Sequence, residues 1–232
     1  MSYTKTTWNT GDTITAEKMN KIEDGVESAF GFSEQLNALI DGSITEITIP
    51  VDVTELCDEA FSSRKNLESV IMHDGVTKIG NGAFKSCSAL ESIDIPDSVT
   101  EIGAAAFSSS GLKSLEYGVN AGSGFCERCL SLESVVVGEG VTTIDSGSFN
   151  CCAALTTIDI ASTVQTLGGG ALSCENLESM TVRATTPPSG VNSAMGLAPA
   201  ACTIYVPASA VDTYKAASGW SARASYIQAI QE

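Results

Sequence analysis

A single histidine, His73, stands among 232 residues. It falls in Met72-His73-Asp74-Gly75, a turn-like stretch, and reads as an exposed turn residue. A Cys–His or Ser–His nucleophile pair needs an oriented base in a pocket, which this setting does not offer. Basic residues are also scarce: 12 Lys and Arg face 28 Asp and Glu, for a net charge of -16. Phosphate binding needs clustered Lys and Arg, so nucleic acid is excluded as a partner. Anionic membrane surfaces are disfavoured for the same reason. Long apolar runs are lacking too. Met1 to Thr10 has no apolar stretch of signal-peptide type, and the longest uncharged stretch, Ala184 to Val211, is broken by Pro, Gly, Ser and Asn. Membrane insertion is therefore not expected.

Eight cysteines are about one residue in thirty, well below the density of a disulfide scaffold. Cys126-x-x-Cys129 has no second cysteine pair and no nearby histidine to complete four zinc ligands. Gly168-Gly169-Gly170 lacks the lysine of a phosphate loop, and no D-x-D-x-D-G segment supports calcium. Carboxylates are plentiful, yet nothing singles out the spaced pair that glycoside hydrolysis requires. The expectation is a non-enzymatic protein with no cofactor and no metal.

What the chain has is a repeat. Phe61, Phe84, Phe107, Phe125, Phe149 and Leu172 follow one another at spacings of 23, 23, 18, 24 and 23 residues. Each is followed within seven positions by a leucine: Leu67, Leu90, Leu112, Leu132, Leu155 and Leu177. The leucines open strand-like units LESVIM, LESIDI, LKSLEY, LESVVV, LTTIDI and LESMTV. Before most aromatic positions stands a second unit: VTELCDEAF, VTKIGNGAF, VTEIGAAAF, VTTIDSGSF, VQTLGGGAL. The fourth copy keeps only YGVNAGSGF, which explains its short spacing.

One copy cannot fold alone. In Leu90 to Ile95, Ile93 and Ile95 alternate with Ser92 and Asp94, the period of a strand with one buried face. Such a strand needs neighbours to pair its backbone and cover its apolar side, and stacked copies supply both. The fold class expected is a β-rich repeat solenoid of short strands stacked in parallel, on the order of 29 Å long for six copies at about 4.8 Å each. Gly75, Gly80, Pro96, Gly138 and Gly140 suit its corners.

The pattern AF-x-x-C-x-x-L-x-S-I-x-I-P-x-x-V-T-x-I-G, clearest from Ala83-Phe84 to Gly103, resembles the BspA-like bacterial leucine-rich repeat. Thr203-Ile204-Tyr205-Val206-Pro207, with Val211, Tyr214 and Gly219-Trp220, is similar to the cap that closes such arrays. The resemblance implies the fold and a binding or adhesion role, but no particular ligand. Within it the cysteines find a place. Cys87, Cys129, Cys152 and Cys174 sit three residues before their leucines, a slot held by Arg64 and Ser109 in the first and third copies. A small thiol packs there as a buried hydrophobe, so reduced thiols are expected.

Three regions follow: an attachment segment 1–42, six repeats over 43–186, and a capping segment 187–232. In the first, Thr15 is a plausible N-cap. Met19, Ile22, Val26, Ala29, Ser33, Leu36 and Ile40 alternate spacings of three and four, a heptad seam. The N-terminal α-helix so predicted has two readings: a coiled coil joining copies, with a homo-trimer in view, or one amphipathic helix packed on the first repeat. Lys5-Thr6-Thr7-Trp8 through Ile22-Glu23-Asp24-Gly25 resembles the start of many phage tail and virion-associated proteins. That resemblance implies attachment of a tail appendage to the particle, with the distal part meeting the host. The last region is expected to form an α/β cap, a strand at Thr203 to Val206 and a helix near Ala208 to Ala217.

The charge is concentrated in the repeats: residues 51 to 186 carry -11 and residues 1 to 50 carry -5. Two places beyond each hydroxyl of the strand unit, Ile71, Asp94, Glu116, Val136, Asp159 and Thr181 are expected to point outward as a ligand-facing column. The expected partner is a host-surface protein or glycan. The expected location is the virion after cytoplasmic assembly, or alternatively the bacterial cell surface or exterior. A structural spacer that binds nothing is the third reading.

Overall fold

A computed structural model describes residues 12–14, 35, 37–40, 42–199 and 201–231. One repeat shows how its residues make a coil. Val141, Ile144, Phe149, Cys152, Leu155, Ile158 and Ile160 all point inward and are buried. Polar residues between them face water, so the alternation read from the sequence becomes the two sides of short strands.

Two columns of parallel strands result. The first begins with β1 (Asp12–Ile14), β3 (Val53–Leu56), β5 (Lys78–Ile79) and β6 (Glu101–Ile102), which form one sheet in that order. It continues through an isolated bridge from Ile102 to Ala121 and the pair β9 (Thr143–Ile144) and β11 (Thr166–Leu167). The second column holds the pair β2 (Glu46–Thr48) and β4 (Ser69–Ile71). Beyond them lies a six-stranded sheet of β7 (Ser114–Tyr117), β8 (Ser134–Val137), β10 (Thr157–Ile160), β12 (Ser179–Val182), β13 (Thr203–Val206) and β14 (Ile227–Ala229). Partners sit one repeat apart, as in Glu55 with Lys78, Thr143 with Thr166 and Ser134 with Thr157.

The aromatic positions make a third ladder without regular strands. The Phe61 N–H donates to Ala83 O at 2.7 Å, Phe84 to Ala106 at 2.7 Å, and Phe149 to Ala171 at 2.9 Å. Two residues before each ladder position, the backbone is left-handed: Glu59 (φ 60), Gly82 (φ 59), Ala105 (φ 54), Gly124 (φ 63), Gly147 (φ 69) and Gly170 (φ 66), and in the fourth copy that position is held by Cys126, whose N–H donates to Ser148 O at 3.0 Å, rather than by Phe125. Four of these six are glycine because a Cβ strains this conformation. Phe61, Phe84 and Phe107 stack nearly parallel at centroid distances of 5.3 and 5.4 Å. Their stack, with the leucines and strand residues, is one continuous apolar core.

The thiol column is built as expected, with one addition and one correction. Cys87, Cys129 and Cys174 each donate an S–H to the carbonyl of Phe61, Phe107 or Phe149 one coil away, all at 3.0 Å. Cys152 donates to Cys126 O at 3.2 Å. The slot is therefore a hydrogen-bonding position as well as a packing one. In the third copy its occupant is Ser110, which is buried beside Cys129, and not Ser109, which is half-buried with φ 59. The loop after Phe107 is one residue short, so counting back from Leu112 misplaces the slot.

A second correction concerns the copy with the clearest consensus. Ser92 to Ile95 form no strand, although their sequence alternates like the others. The cause lies one coil further on. From Tyr117 to Ala121 the corner is three residues shorter than from Ile95 to Ile102, the positions that Ala121 and Tyr117 match. A coil of shorter perimeter cannot lie flush on its neighbour, so the second column opens between β4 and β7. Tyr117 fills the interior where other coils carry Ile, Val or Met, tilted against Phe125 at 4.9 Å and Phe149 at 6.3 Å. Its buried hydroxyl has no hydrogen-bond partner, and burial pushes its pKa well above the usual value.

At the start of the chain, Asp12–Ile14 add to the edge of β3, a strand where no repeat copy was read. Residues 35 and 37–40 are helical. Leu39 is fully buried, and Asn66 Nδ2 donates to Leu39 O at 2.7 Å and to Ile44 O at 3.2 Å. Ile40 is 51% exposed. The other seam residues, Met19, Ile22, Val26, Ala29 and Leu36, lie outside the described residues, as does Thr15. At the far end, α1 (Val191–Ala194) precedes β13, and α2 (Val211–Ala216) follows a short 3-10 segment, Ala208–Ala210. Tyr214 Oη donates to Ala184 O, and Trp220 Nε1 to Pro188 O, both at 2.8 Å and both buried.

Candidate ligand-facing surface

The outward file of the six-stranded sheet is set by its register. Glu116 pairs with Val136, Val136 with Asp159, Asp159 with Thr181, Thr181 with Tyr205 and Tyr205 with Gln228. Four of the six residues expected in one column are therefore neighbours. Ile71 is not among them: it lies on the far side of the opening, paired with Thr48, and is 49% exposed. Asp94 stands in the non-strand segment between the two sheets. The single six-residue column is thus corrected to a four-residue file, with Ile71 and Asp94 set apart by the shortened coil.

The sequence reading missed Tyr205 and Gln228. Thr203-Ile204-Tyr205-Val206 shares the alternation of Ser179-Met180-Thr181-Val182, and that match was the available signal. Gln228 gave none, because Ile227–Ala229 is too short to show a period.

The electrostatics of the file are uneven. Arg183 grips Asp159 in a two-point contact, Nε to Oδ1 at 2.8 Å and a second nitrogen to Oδ2 at 2.6 Å. That pair raises the arginine pKa and leaves Asp159 less available than its charge suggests. Glu116 is exposed and Val136 is 42% exposed. Glu139 accepts from the Ser162 N–H at 3.1 Å and its hydroxyl at 2.9 Å, hydrogen bonds that hold its carboxyl below the usual range. Lys113 meets Glu91 at 2.6 Å, and Lys78 meets Glu101 at 2.7 Å.

His73 is not the exposed turn residue expected. It is half-buried, with Nε2 at 2.9 Å from Pro50 O and 3.1 Å from Val53 O, while Nδ1 accepts from the Gly75 N–H at 2.9 Å. These partners place the ring proton on Nε2 and make the side chain a brace between two corners. Among the described residues, no group of three or more His, Cys, Asp or Glu could hold a metal, and no helix is long and apolar enough to cross a membrane. Burial pushes the Cys87 and Cys174 thiols up to about 12, so neither is a nucleophile near neutral pH.

The repeat geometry has counterparts among known proteins. The sequence matches the BspA type leucine rich repeat region in six copies, over residues 35–124 and 122–193. The chain belongs to the BspA-type leucine-rich repeat family. No curated protein matches it. Among solved structures, this BspA-type chain is similar to the leucine-rich repeat protein of T. pallidum, with 28% identity and a TM-score of 0.55. That match covers 60% of this chain and 72% of the other. It is also similar to the pneumococcal vaccine antigen PcpA, at 19% identity and a TM-score of 0.51, over 82% of this chain and 42% of that one. A leucine-rich repeat protein from Bacteroides ovatus matches at 22% identity and a TM-score of 0.49, covering 70% of this chain. The BspA-type chain spans 55% of the B. ovatus protein's length.

Proposed function

We propose that this chain is a non-enzymatic binding and adhesion protein, a repeat solenoid whose outward file engages a host-surface protein or glycan. The observation that carries this reading is the in-register row Glu116, Val136, Asp159, Thr181 and Tyr205. It sets acid, apolar, hydroxyl and aromatic groups at strand spacing on a sheet fixed by backbone bonds. Chemistry that varies from rung to rung on a constant scaffold suits recognition. In this reading residues 187–232 cap the array and Ile71 and Asp94 flank the file.

The finer form of the proposal is a phage or prophage tail appendage, carried by the likeness of Lys5 to Gly25 to virion-associated proteins. Residues 1–42 would attach it and join copies, as a homo-trimer, through Met19, Ile22, Val26, Ala29, Leu36 and Ile40. Ile40, exposed beside buried Leu39, is free for such a contact. The second reading, a bacterial cell-surface or secreted adhesin, is favoured by membership of the BspA-type family.

The direct test is retention of the full chain on a panel of host cell-wall glycans and surface proteins. Replacing Glu116, Asp159 and Asp94 by Lys is expected to abolish retention while circular dichroism stays unchanged. Unchanged retention sinks the proposed surface. Light scattering tests the stalk: a strict monomer with residues 1–42 intact overturns the trimer.

A further inference from the structure

The opening between β4 and β7 is more than a defect in the stack. Elsewhere in the second column, each coil is stitched to the next along its strands. Among the described residues, no backbone hydrogen bond joins Ser92, Ile93, Asp94 or Ile95 to either neighbour, and only Lys113 N–H to Glu91 O, at 3.0 Å, crosses to β7. On its other side β7 is fully engaged: Tyr117 O accepts from the Gly138 N–H at 2.7 Å. Backbone groups of a parallel strand alternate between its two neighbours, so the N–H and C=O of Glu116 face the opening. That is an unpaired sheet edge, the kind of feature to which an extended chain adds.

The side chains around it are selective. Ile93 and Ile95 are half-buried, whereas their counterparts Val135 and Val137, and Ile158 and Ile160, are buried. The cleft, of about 670 Å³, has these two isoleucines together with Asp94, Asp97, Glu116 and Glu139 in its lining. The bases beside it are already paired, Lys113 with Glu91 and Arg183, which also feels Glu139, with Asp159. The cleft therefore offers strand hydrogen bonds, an apolar floor and four carboxylates. We propose that it binds an extended basic peptide segment of a partner protein. The peptide adds to β7 as a strand, its apolar residues on Ile93 and Ile95 and its Lys or Arg residues on the carboxylates. This inference rests on the reading of the chain as a binding protein but assigns a surface that shares only Glu116 with the outward file and lies beside it.

The test uses the full chain and a fluorescently labelled peptide of alternating Lys and Val, followed by anisotropy. Saturable binding is expected, with the Glu116 amide newly protected from hydrogen exchange. The same Lys–Val peptide with every backbone amide N-methylated carries the same charge and apolar side chains but has no N–H to donate to a strand, and is expected to bind at least about tenfold more weakly, the factor that corresponds to about 1.4 kcal/mol. Glu116→Lys is expected to weaken binding by a similar factor, and Asp97→Asn, which leaves the backbone unaltered, by less. Thr181→Lys, out on the file, is expected to leave peptide binding unchanged. No binding of the Lys–Val peptide, equal binding of its N-methylated form, or loss of binding in Thr181→Lys each overturns the assignment. Peptide binding that persists in a Thr181→Lys variant no longer retained on host material separates this cleft from the file.

Discussion

Ala105 and Asp58 show how single residues set the corners of the stack. Ala105 occupies a left-handed position (φ 54) that glycine fills in four of the six coils. The conformation costs a residue with a Cβ roughly 1–2 kcal/mol, partly offset by the greater chain entropy that glycine loses on folding. Ala105→Gly is therefore expected to raise unfolding stability by about 0.5 kcal/mol in urea melts, and a lowered midpoint would show that this turn carries no strain. Asp58 acts at the next corner. Its carboxylate accepts from the Asn81 N–H at 2.7 Å and from the Asn81 side chain at 3.1 Å, and those bonds hold its pKa below 3.8. Asn81 Oδ1 in turn accepts from the Ala104 N–H at 2.8 Å, so the contacts run up the stack. A carboxylate whose folded pKa is depressed stabilises above its unfolded value and loses that contribution as pH falls through the folded one. The stability gap between the native chain and Asp58→Ala is expected to be full near pH 6 and to close below about pH 3.8. A gap that stays constant across that range would remove Asp58 from the corner's energetics.

At the scale of elements, most of the fold was legible because each coil must repeat what its neighbour needs. Phe84 stacks on Phe61 and Phe107, and Cys87 reaches Phe61 O, so their spacing is constrained by contact across coils. The opening between β4 and β7 was not legible for the opposite reason. Ser92 to Ile95 carry a sound strand pattern, and what unseats them is the short corner after Tyr117, a full coil away. The candidate surface inherits this error: Glu116, Val136, Asp159 and Thr181 align, while Ile71 and Asp94 do not. The opening also predicts unequal energetics for equal sequence. Ile95 is half-buried where Ile160 is fully buried. Truncating a buried isoleucine to alanine costs roughly 2–5 kcal/mol, with the cost growing as the site loses packing. Ile160→Ala is expected near the upper half of that range and Ile95→Ala below its lower end, measured by chemical denaturation. Equal losses would mean that the cleft closes in solution.

The whole molecule behaves as a row of coils, each stabilised by the ones beside it, so its ends govern how it opens. The last coil is held by two buried aromatic side chains from the C-terminal region. Trp220 meets Tyr214 edge to face at 4.9 Å and donates to Pro188 O, while Tyr214 reaches Ala184 O. Their neighbourhood also completes the sheet through β13 and β14, which shield β12 from being an edge. Trp220→Ala removes a fully buried ring and leaves the Pro188 carbonyl unpaired, a loss of roughly 3–5 kcal/mol. In a globular core such a loss is shared by every element. In a row of coils it is felt first where it occurs, because β2 to β5 belong to sheets separate from the one that ends in β13 and β14. Hydrogen exchange of the variant is therefore expected to rise in β12, β13 and β14 while the amides of β3 and β5 keep their protection. A uniform rise along the chain would show that the stack unfolds as one cooperative unit, and that the shortened coil at Tyr117 does not divide it.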